Sequence, residues 1–270
     1  MVKPQSIFIT GSSGFIGKSL QEHMNSTNYC NYSVSPNLIN EEFNTDNLNN
    51  IDQVIHLFGV FGNDLEQLSK VNVMATHLLM KRIIGKQIKK IIYLSSGAVY
   101  GELTHNHISI ESDLLNPNTH YGLTKMLAEE IIKAYCEAHN IKYVILRLPN
   151  VYGGLQTKGV IFNFLQQIKL NSNVTIEGNG NQKRDFLHIS DLLNAIDLAL
   201  EYSGSSVTLN ISSKNNLSIN ELIKLFKDYY DFDVSYVEKR NNITNLNLNF
   251  DRAQQVLGYE PRVNEILFEK

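Results

Sequence analysis

The sequence predicts an α/β protein built on an open, doubly wound parallel sheet, with a smaller C-terminal α/β lobe. Three observations carry that expectation. Short apolar runs alternate with longer stretches of helical period, the runs are apolar throughout, and a glycine-rich turn follows the first of them. Strands that are apolar at every position suit a parallel sheet covered by helices on both faces.

The elements follow in order. Runs at 7–10, 53–57, 91–94 and 143–146 read as strands, and stretches at about 15–24, 64–84 and 121–139 read as helices between them. Beyond residue 150 the rhythm loosens. A helix near 159–170, a strand near 174–176, a helix at 190–201, a strand at 207–211 and a helix at 218–229 are expected, then mixed short elements. Residues 1–153 with about 187–211 are assigned to the larger domain, and about 154–186 with 212–270 to the smaller lobe. In such sheets ligands bind outside the carboxyl ends of the strands, so the loops after residues 10, 57, 95 and 148 are where chemistry is sought.

Composition narrows the class. The 270 residues are 43% hydrophobic and 19% charged, a globular balance, and the formal charge of −3 leaves no basic excess to neutralise a nucleic acid. Cys30 and Cys136 form no C-x-x-C, which points away from a disulfide framework or a zinc knuckle. The N-terminus enters an apolar strand without a signal-peptide layout, and no apolar run nears the ~18 residues of a membrane span. A cytoplasmic protein with no membrane partner is expected.

The first motif is Thr10-Gly11-Ser12-Ser13-Gly14-Phe15-Ile16-Gly17, between the first strand and the first helix. Glycines let the backbone turn sharply and approach a pyrophosphate, and the helix N-terminus offers N–H groups and positive dipole. That context makes Gly11, Ser13, Gly14, Phe15, Ile16 and Gly17 candidate contacts for a dinucleotide, and the fold a Rossmann type. The usual ribose-binding carboxylate is missing from 31–37. Yet no Lys or Arg occurs between Ser19 and Ser69 to meet a 2′-phosphate. An unpaired buried phosphate costs more than one missing hydrogen bond, so NAD is favoured over NADP, which is not excluded.

Tyr121 and Lys125 are spaced i, i+4, on one face of one helix. A free tyrosine titrates at about 10, and bringing it near neutrality takes roughly 4 kcal/mol of stabilisation from neighbouring positive charge. Ser95 and Ser96 end the strand before it, where a hydroxyl can bind the oxygen whose proton the tyrosine moves. Alone, each feature also fits a surface pair or a plain strand end. Their combination points to hydride chemistry.

With these motifs in place, the sequence resembles the extended short-chain dehydrogenase/reductases, in particular the nucleotide-sugar epimerase/dehydratase family. The resemblance runs from Ile7 to about Pro261. It rests on T-G-x-x-G-F-I-G at 10–17, H-L at 56–57, V-N-V-x-x-T at 71–76 and S-S-G-A-V-Y-G at 95–101, then on Y-G-L-T-K at 121–125, R-L-P-N-V-Y-G at 147–153 and the segment 176–191. It implies that Tyr121 is the acid/base, that Lys125 holds the nicotinamide ribose and tunes Tyr121, and that Ser96 rather than Ser95 is the catalytic hydroxyl. It places Asn72 near the nicotinamide, Asn150 at the sugar or diphosphate and Arg184 on the nucleotide diphosphate, where a guanidinium fork suits the charge. Without the resemblance, Arg184 beside Asp185 would read as an ion pair.

Dehydratases of the family carry an Asp-Glu pair where this chain has Gly97-Ala98, so elimination of water is not expected. His105, His107, Glu111 and Asp113 read as a solvated loop, and no metal is expected. The resemblance implies a homodimer formed through helices of the region that includes Leu78, Leu79, Ile83 and Ile84, though the same apolar pattern fits a core-facing helix. Four functions follow: a nucleotide-sugar epimerase acting at C4, a 4-keto-sugar reductase that consumes NAD(P)H, more distantly a decarboxylase, or, from another class, a catalytically dead nucleotide-sensing module.

Overall fold

The computed structural model describes residues 6–27, 32–35, 48–102, 107–238, 245–263 and 265–266. The large sheet holds six strands: β1 (Ile7–Thr10), β2 (Tyr32–Ser35), β3 (Gln53–His56), β4 (Lys90–Ser96), β5 (Lys142–Leu148) and, last in sequence, β9 (Val207–Asn210). Their order is β2-β1-β3-β4-β5-β9, and every pair is parallel. The unbroken apolar runs are explained by the two covers. Ile7, Ile9, Ile55, Ile92, Leu94, Val144 and Leu146 face one core, while Phe8, Val54, Ile91, Tyr93 and Ile145 face the other.

The first core is closed by α1 (Phe15–Ser26), α6 (Ile189–Glu201) and α8 (Asp251–Leu257). The second is closed by α3 (Ala75–Ile83) and α4 (His120–His139). The helix expected at 64–84 is present but not uniform. α2 (Leu65–Leu68) runs through a π-helical stretch, Ser69–Met74, into α3. Leu79 and Ile83 face the core, whereas Leu78 and Ile84 are half-buried.

The smaller core lies under α5 (Val160–Asn171) and α7 (Ile219–Lys227). Among its strands the one expected near 174–176 is present, and the others are short elements that the sequence did not assign. β6 (Asn150–Tyr152) pairs in parallel with β8 (Lys183–His188), which pairs antiparallel with β10 (Asn216–Ser218); β7 (Asn173–Glu177) pairs in parallel with β11 (Asp233–Val237). The chain returns to the large body at its end, where Ala253 and Tyr259 join the first core. Asp191 in the first turn of α6 fastens that return, accepting from the N–H groups of Arg262 and Val263 at 2.9 and 3.1 Å. No helix among the described residues is long and apolar enough to cross a membrane.

Candidate active site

From β1 the chain turns outward to β2, then crosses to β3 on the other side of β1, so a crevice opens at the carboxyl ends of β1 and β3. The glycine turn sits there. Gly11 has φ +70, and a Cβ on it would fall 2.7 Å from the backbone of Phe58; one on Gly17 would fall 2.4 Å from the Gly11 carbonyl oxygen. Those two glycines let the turn pack on the exit of β3 and let α1 pack on the turn. Gly14 is different. The nearest protein atom to a Cβ there would be 3.5 Å away, in ordinary contact, so the protein itself does not require a glycine. α1 begins beside it with no side-chain cap and no acid in its first turn, leaving N–H groups unsatisfied. An open helix N-terminus next to a residue without Cβ fits a dinucleotide pyrophosphate. Ser13 is exposed at the turn; Ile16 lines the crevice, and Phe15 packs on the core.

A buried polar chain ties this turn to the helix that carries Asn72. Thr76 Oγ1 donates to the Asn72 carbonyl at 2.7 Å, so it accepts from His56 Nε2 at 2.9 Å. The His56 proton is therefore on Nε2, and Nδ1 accepts from Thr10 Oγ1 at 2.8 Å. Burial, with the charge of Lys125, lowers the His56 pKa to about 3, in keeping with this neutral tautomer. Asn72 closes the chain. Its Oδ1 accepts from Val60 N–H at 2.8 Å, while Nδ2 donates to the Val60 carbonyl and to Thr124 Oγ1, each at 3.1 Å. Asn72 lines the crevice, but its side chain is buried and saturated by the protein. Asn72 lies within the π-helical stretch Ser69–Met74.

The Tyr-Lys helix is set by its own first turn. Thr119 caps α4 by accepting from Gly122 N–H at 3.0 Å. A Cβ on Gly122 would lie 2.3 Å from the Ala98 carbonyl oxygen, so only glycine lets α4 rest on the 3₁₀ turn Gly97–Tyr100. That contact brings half-buried Tyr121 to the cavity that Ser96 also lines. Strand alternation sends the adjacent Ser95 the other way, where its hydroxyl donates to buried Glu129. Glu129 also forms a two-pronged ion pair with Arg147 of β5, at 3.1 and 2.8 Å.

Lys125 donates to the Leu94 carbonyl at 2.6 Å and lies 4.2 Å from the centroid of the Tyr93 ring. Burial lowers its pKa to about 7, with Glu129 pulling the other way. Burial raises Tyr121, and the Ser96 hydrogen bond opposes the rise. Ser96, Tyr121 and Lys125 thus meet at one cavity of about 220 Å³, with Val60, Phe61 and Pro149 around them. Phe61 was not anticipated as a site residue. The available signal was a large apolar side chain in a loop leaving the carboxyl end of a strand.

The expected substrate residues come from the small three-stranded sheet. Asn150 opens β6 and donates to the Asp185 carbonyl at 3.2 Å. Arg184, on β8, is half-buried, and its side chain makes no hydrogen bond or ion pair with any described residue; burial alone lowers its pKa, to about 10. The ion pair with Asp185 that the bare sequence suggested does not form. Asp185 points the other way, into Ser212 and Ser213, because neighbouring strand residues face opposite sides. His107 pairs with Asp113 at 2.7 Å, and His105 lies outside the described residues.

Residues 7–212 match the model of the NAD-dependent epimerase/dehydratase family, and the chain belongs to that family. Among curated relatives, a putative UDP-glucose 4-epimerase of Methanocaldococcus jannaschii is 30% identical, over 96% of this chain and 94% of its own. A dTDP-4-dehydro-6-deoxyglucose reductase of Escherichia coli is 29% identical, over 97% and 94%. Among solved structures, the Bacillus cereus UDP-glucuronic acid 4-epimerase in complex with UDP-glucuronic acid and NAD superposes with a TM-score of 0.86, at 25% identity over 96% of this chain and 95% of its own.

Proposed function

We propose that the protein is an NAD-dependent nucleotide-sugar epimerase that inverts a hydroxyl-bearing carbon, C4, of its substrate. The observation that carries this reading is the meeting of Ser96, Tyr121 and Lys125 at one cavity beside the glycine turn. When bound, NAD accepts a hydride from the sugar and returns it. Tyr121 takes the hydroxyl proton and gives it back, while Ser96 holds the same oxygen. Lys125, once charged, lowers the cost of the phenolate and holds the nicotinamide ribose. Asn72 acts one step back, positioning the loop at Val60.

Arg184 of the smaller lobe and Asn150 at the edge of the larger domain bind the diphosphate end of the substrate. We divide the chain accordingly into 1–153 with 187–211 for the cofactor and 154–186 with 212–270 for the nucleotide sugar, the segment 251–259 being lent back to the larger core. Elimination of water is disfavoured: Leu246 and Leu248 lie over Gly97, in the place where dehydratases of the family carry an acid pair. A cytoplasmic homodimer completes the reading, supported by exposed Met74 and Leu127 in the region of α3 and α4.

The test is incubation with UDP-glucose and with dTDP-glucose, followed by NMR for the C4 epimer, after measuring NAD carried through purification. The similarity to the E. coli reductase supports a second reading. Oxidation of NAD(P)H by a dTDP-4-keto-sugar, without epimerisation, would establish that reading in place of the first.

A further inference from the structure

Lys125 is 6% exposed, and an ammonium taken out of water needs its three N–H groups met. Among the described residues Nζ has one hydrogen-bond acceptor, the Leu94 carbonyl at 2.6 Å. Its other close contact is not an oxygen. Nζ stands over the ring of Tyr93, 4.2 Å from the centroid. Tyr93 precedes Leu94 on β4, so one strand supplies both the acceptor and the ring.

The Tyr93 side chain is 1% exposed, and its hydroxyl has no hydrogen-bond partner among the described residues. Burying that hydroxyl unpaired is unfavourable, so it does nothing to hold the ring. Packing in the second core holds it, together with a stack on His56 at 5.3 Å between centroids. What the residue offers the site is its face, whose negative quadrupole attracts a cation, most strongly where water is excluded.

The other groups around the ammonium leave it this need. His56 on β3 is neutral, with both ring nitrogens engaged. Burial favours the neutral phenols of Tyr93 and Tyr121. The π-helical stretch presents uncharged Asn72, bonded to Val60 and Thr124. Glu129, one turn along α4, has the opposite charge but shares it with Arg147 of β5 and, at 3.8 Å, with Lys133.

We infer that Tyr93 is a positioning residue whose ring face keeps the Lys125 ammonium charged and in place beside Tyr121. The hold on the ammonium stands by itself; its effect on turnover rests on the function proposed above.

The experiment follows the Lys125 Cε signal by NMR in full-length, NAD-loaded protein labelled with 13C-lysine, the signal being assigned by its absence from Lys125→Met. Tyr93→Leu should lower the Lys125 midpoint by roughly 0.5–1.5 pH units, about three- to thirtyfold in proton affinity. Tyr93→Phe restores the face and should return the midpoint to within about 0.3 unit of the parent. If Tyr93→Leu fails to fold, Tyr93→Phe made with a trifluorinated ring withdraws the face while keeping the packing, and the same lowering is expected of it. Single-turnover hydride transfer is then measured against pH with UDP-glucose and dTDP-glucose. Tyr93→Leu should match the parent in acid, where Lys125 is charged in both, and fall about three- to thirtyfold below it as the pH rises. An unmoved midpoint overturns the inference, as does a rate lowered by one factor at every pH, which is a packing loss. So does a Tyr93→Phe midpoint as low as that of Tyr93→Leu, which would give the role to the hydroxyl. If the midpoint moves as expected while neither sugar is oxidised by the parent, the hold on Lys125 is upheld and the nucleotide-sugar reading is what fails.

Discussion

The two sides of the crevice differ in how complete they are without a ligand. On the large-sheet side most described polar side chains around Tyr121 have partners within the protein: Thr10, His56, Thr76, Asn72 and Thr124 form one chain and Lys125 rests on a carbonyl, with the buried Tyr93 hydroxyl as an exception. On the small-sheet side, Arg184 is half-buried, its side chain with no partner among the described residues. A side that satisfies itself holds its geometry before the substrate arrives, which is what acid–base chemistry needs. A partly desolvated guanidinium without a partner is stabilised when an anion enters. The first side should therefore govern rate, and the second should govern affinity.

The largest effect expected is on the rate side. Tyr121→Phe removes only the ionisable oxygen and leaves the ring against Phe61. Turnover should fall by about 10²–10⁴-fold, with NAD affinity retained. Single-turnover hydride transfer followed at the nicotinamide absorbance checks this, and a variant within roughly tenfold of the parent would remove Tyr121 from the chemistry.

Arg184→Ala tests the other side. Charge-assisted hydrogen bonds are worth about 1.5–3 kcal/mol each, so KM and the Kd of the nucleoside diphosphate should rise by roughly ten- to a hundredfold, with kcat little changed. Steady-state kinetics and calorimetry separate the two. A fall in kcat with unchanged nucleotide affinity would erase the division between the sides. NAD affinity should not move.

A smaller effect should come from Asn72→Ala, which leaves the Val60 N–H and carbonyl without their partner. Losing a positioning residue should cost kcat/KM roughly tenfold, in both kcat and KM, while the pH dependence set by Tyr121 stays in place. Asn72→Asp retains an acceptor for Val60 N–H and should recover only part of the loss. If the rate profile shifts along the pH axis, Asn72 touches the reacting groups directly.

How far these roles were legible in the sequence depended on whether they were local. The glycine turn, the i, i+4 pair and the strand-end serines declare themselves within a few residues, whereas the turning of Ser95 to Glu129 shows only in the structure. The Asn72 clamp does not declare itself either, because it depends on partners 12 and 52 residues away. The ion pair that adjacency alone would suggest for Arg184 and Asp185 does not form, since neighbours in sequence face opposite sides of a strand. The short strands of the smaller lobe were left unresolved for a related reason: β6, β8 and β10 have three to six residues and take their stability from pairing across the chain.

The smallest prediction concerns the buried polar centre behind each side. His56 is held neutral, its pKa lowered from 6.5 to about 3, chiefly by burial. Asp185 is raised from 3.8 to about 7, also by burial, and the geometry accepts a proton: Oδ2 adjoins Ser212 Oγ, whose own hydroxyl can donate to the Ser213 carbonyl at 3.2 Å. The signs oppose. Between about pH 4 and 6.5 the unfolded chain carries a proton on His56 that the native protein lacks, so that group makes stability fall as pH falls. Over the same window the native protein carries a proton on Asp185 that the unfolded chain lacks, so that group's contribution is full in acid and is lost as pH rises toward 7. The two cancel in the parent. Asp185→Asn removes one of them, and the variant's unfolding free energy should drop relative to the parent by about 1 kcal/mol per pH unit as the solution is acidified through this window. His56→Asn should show the opposite slope, with stability rising relative to the parent toward acid. Urea unfolding at several pH values supplies the differences, in which all other titrating groups drop out. If both differences are flat, neither group has the protonation state its surroundings impose.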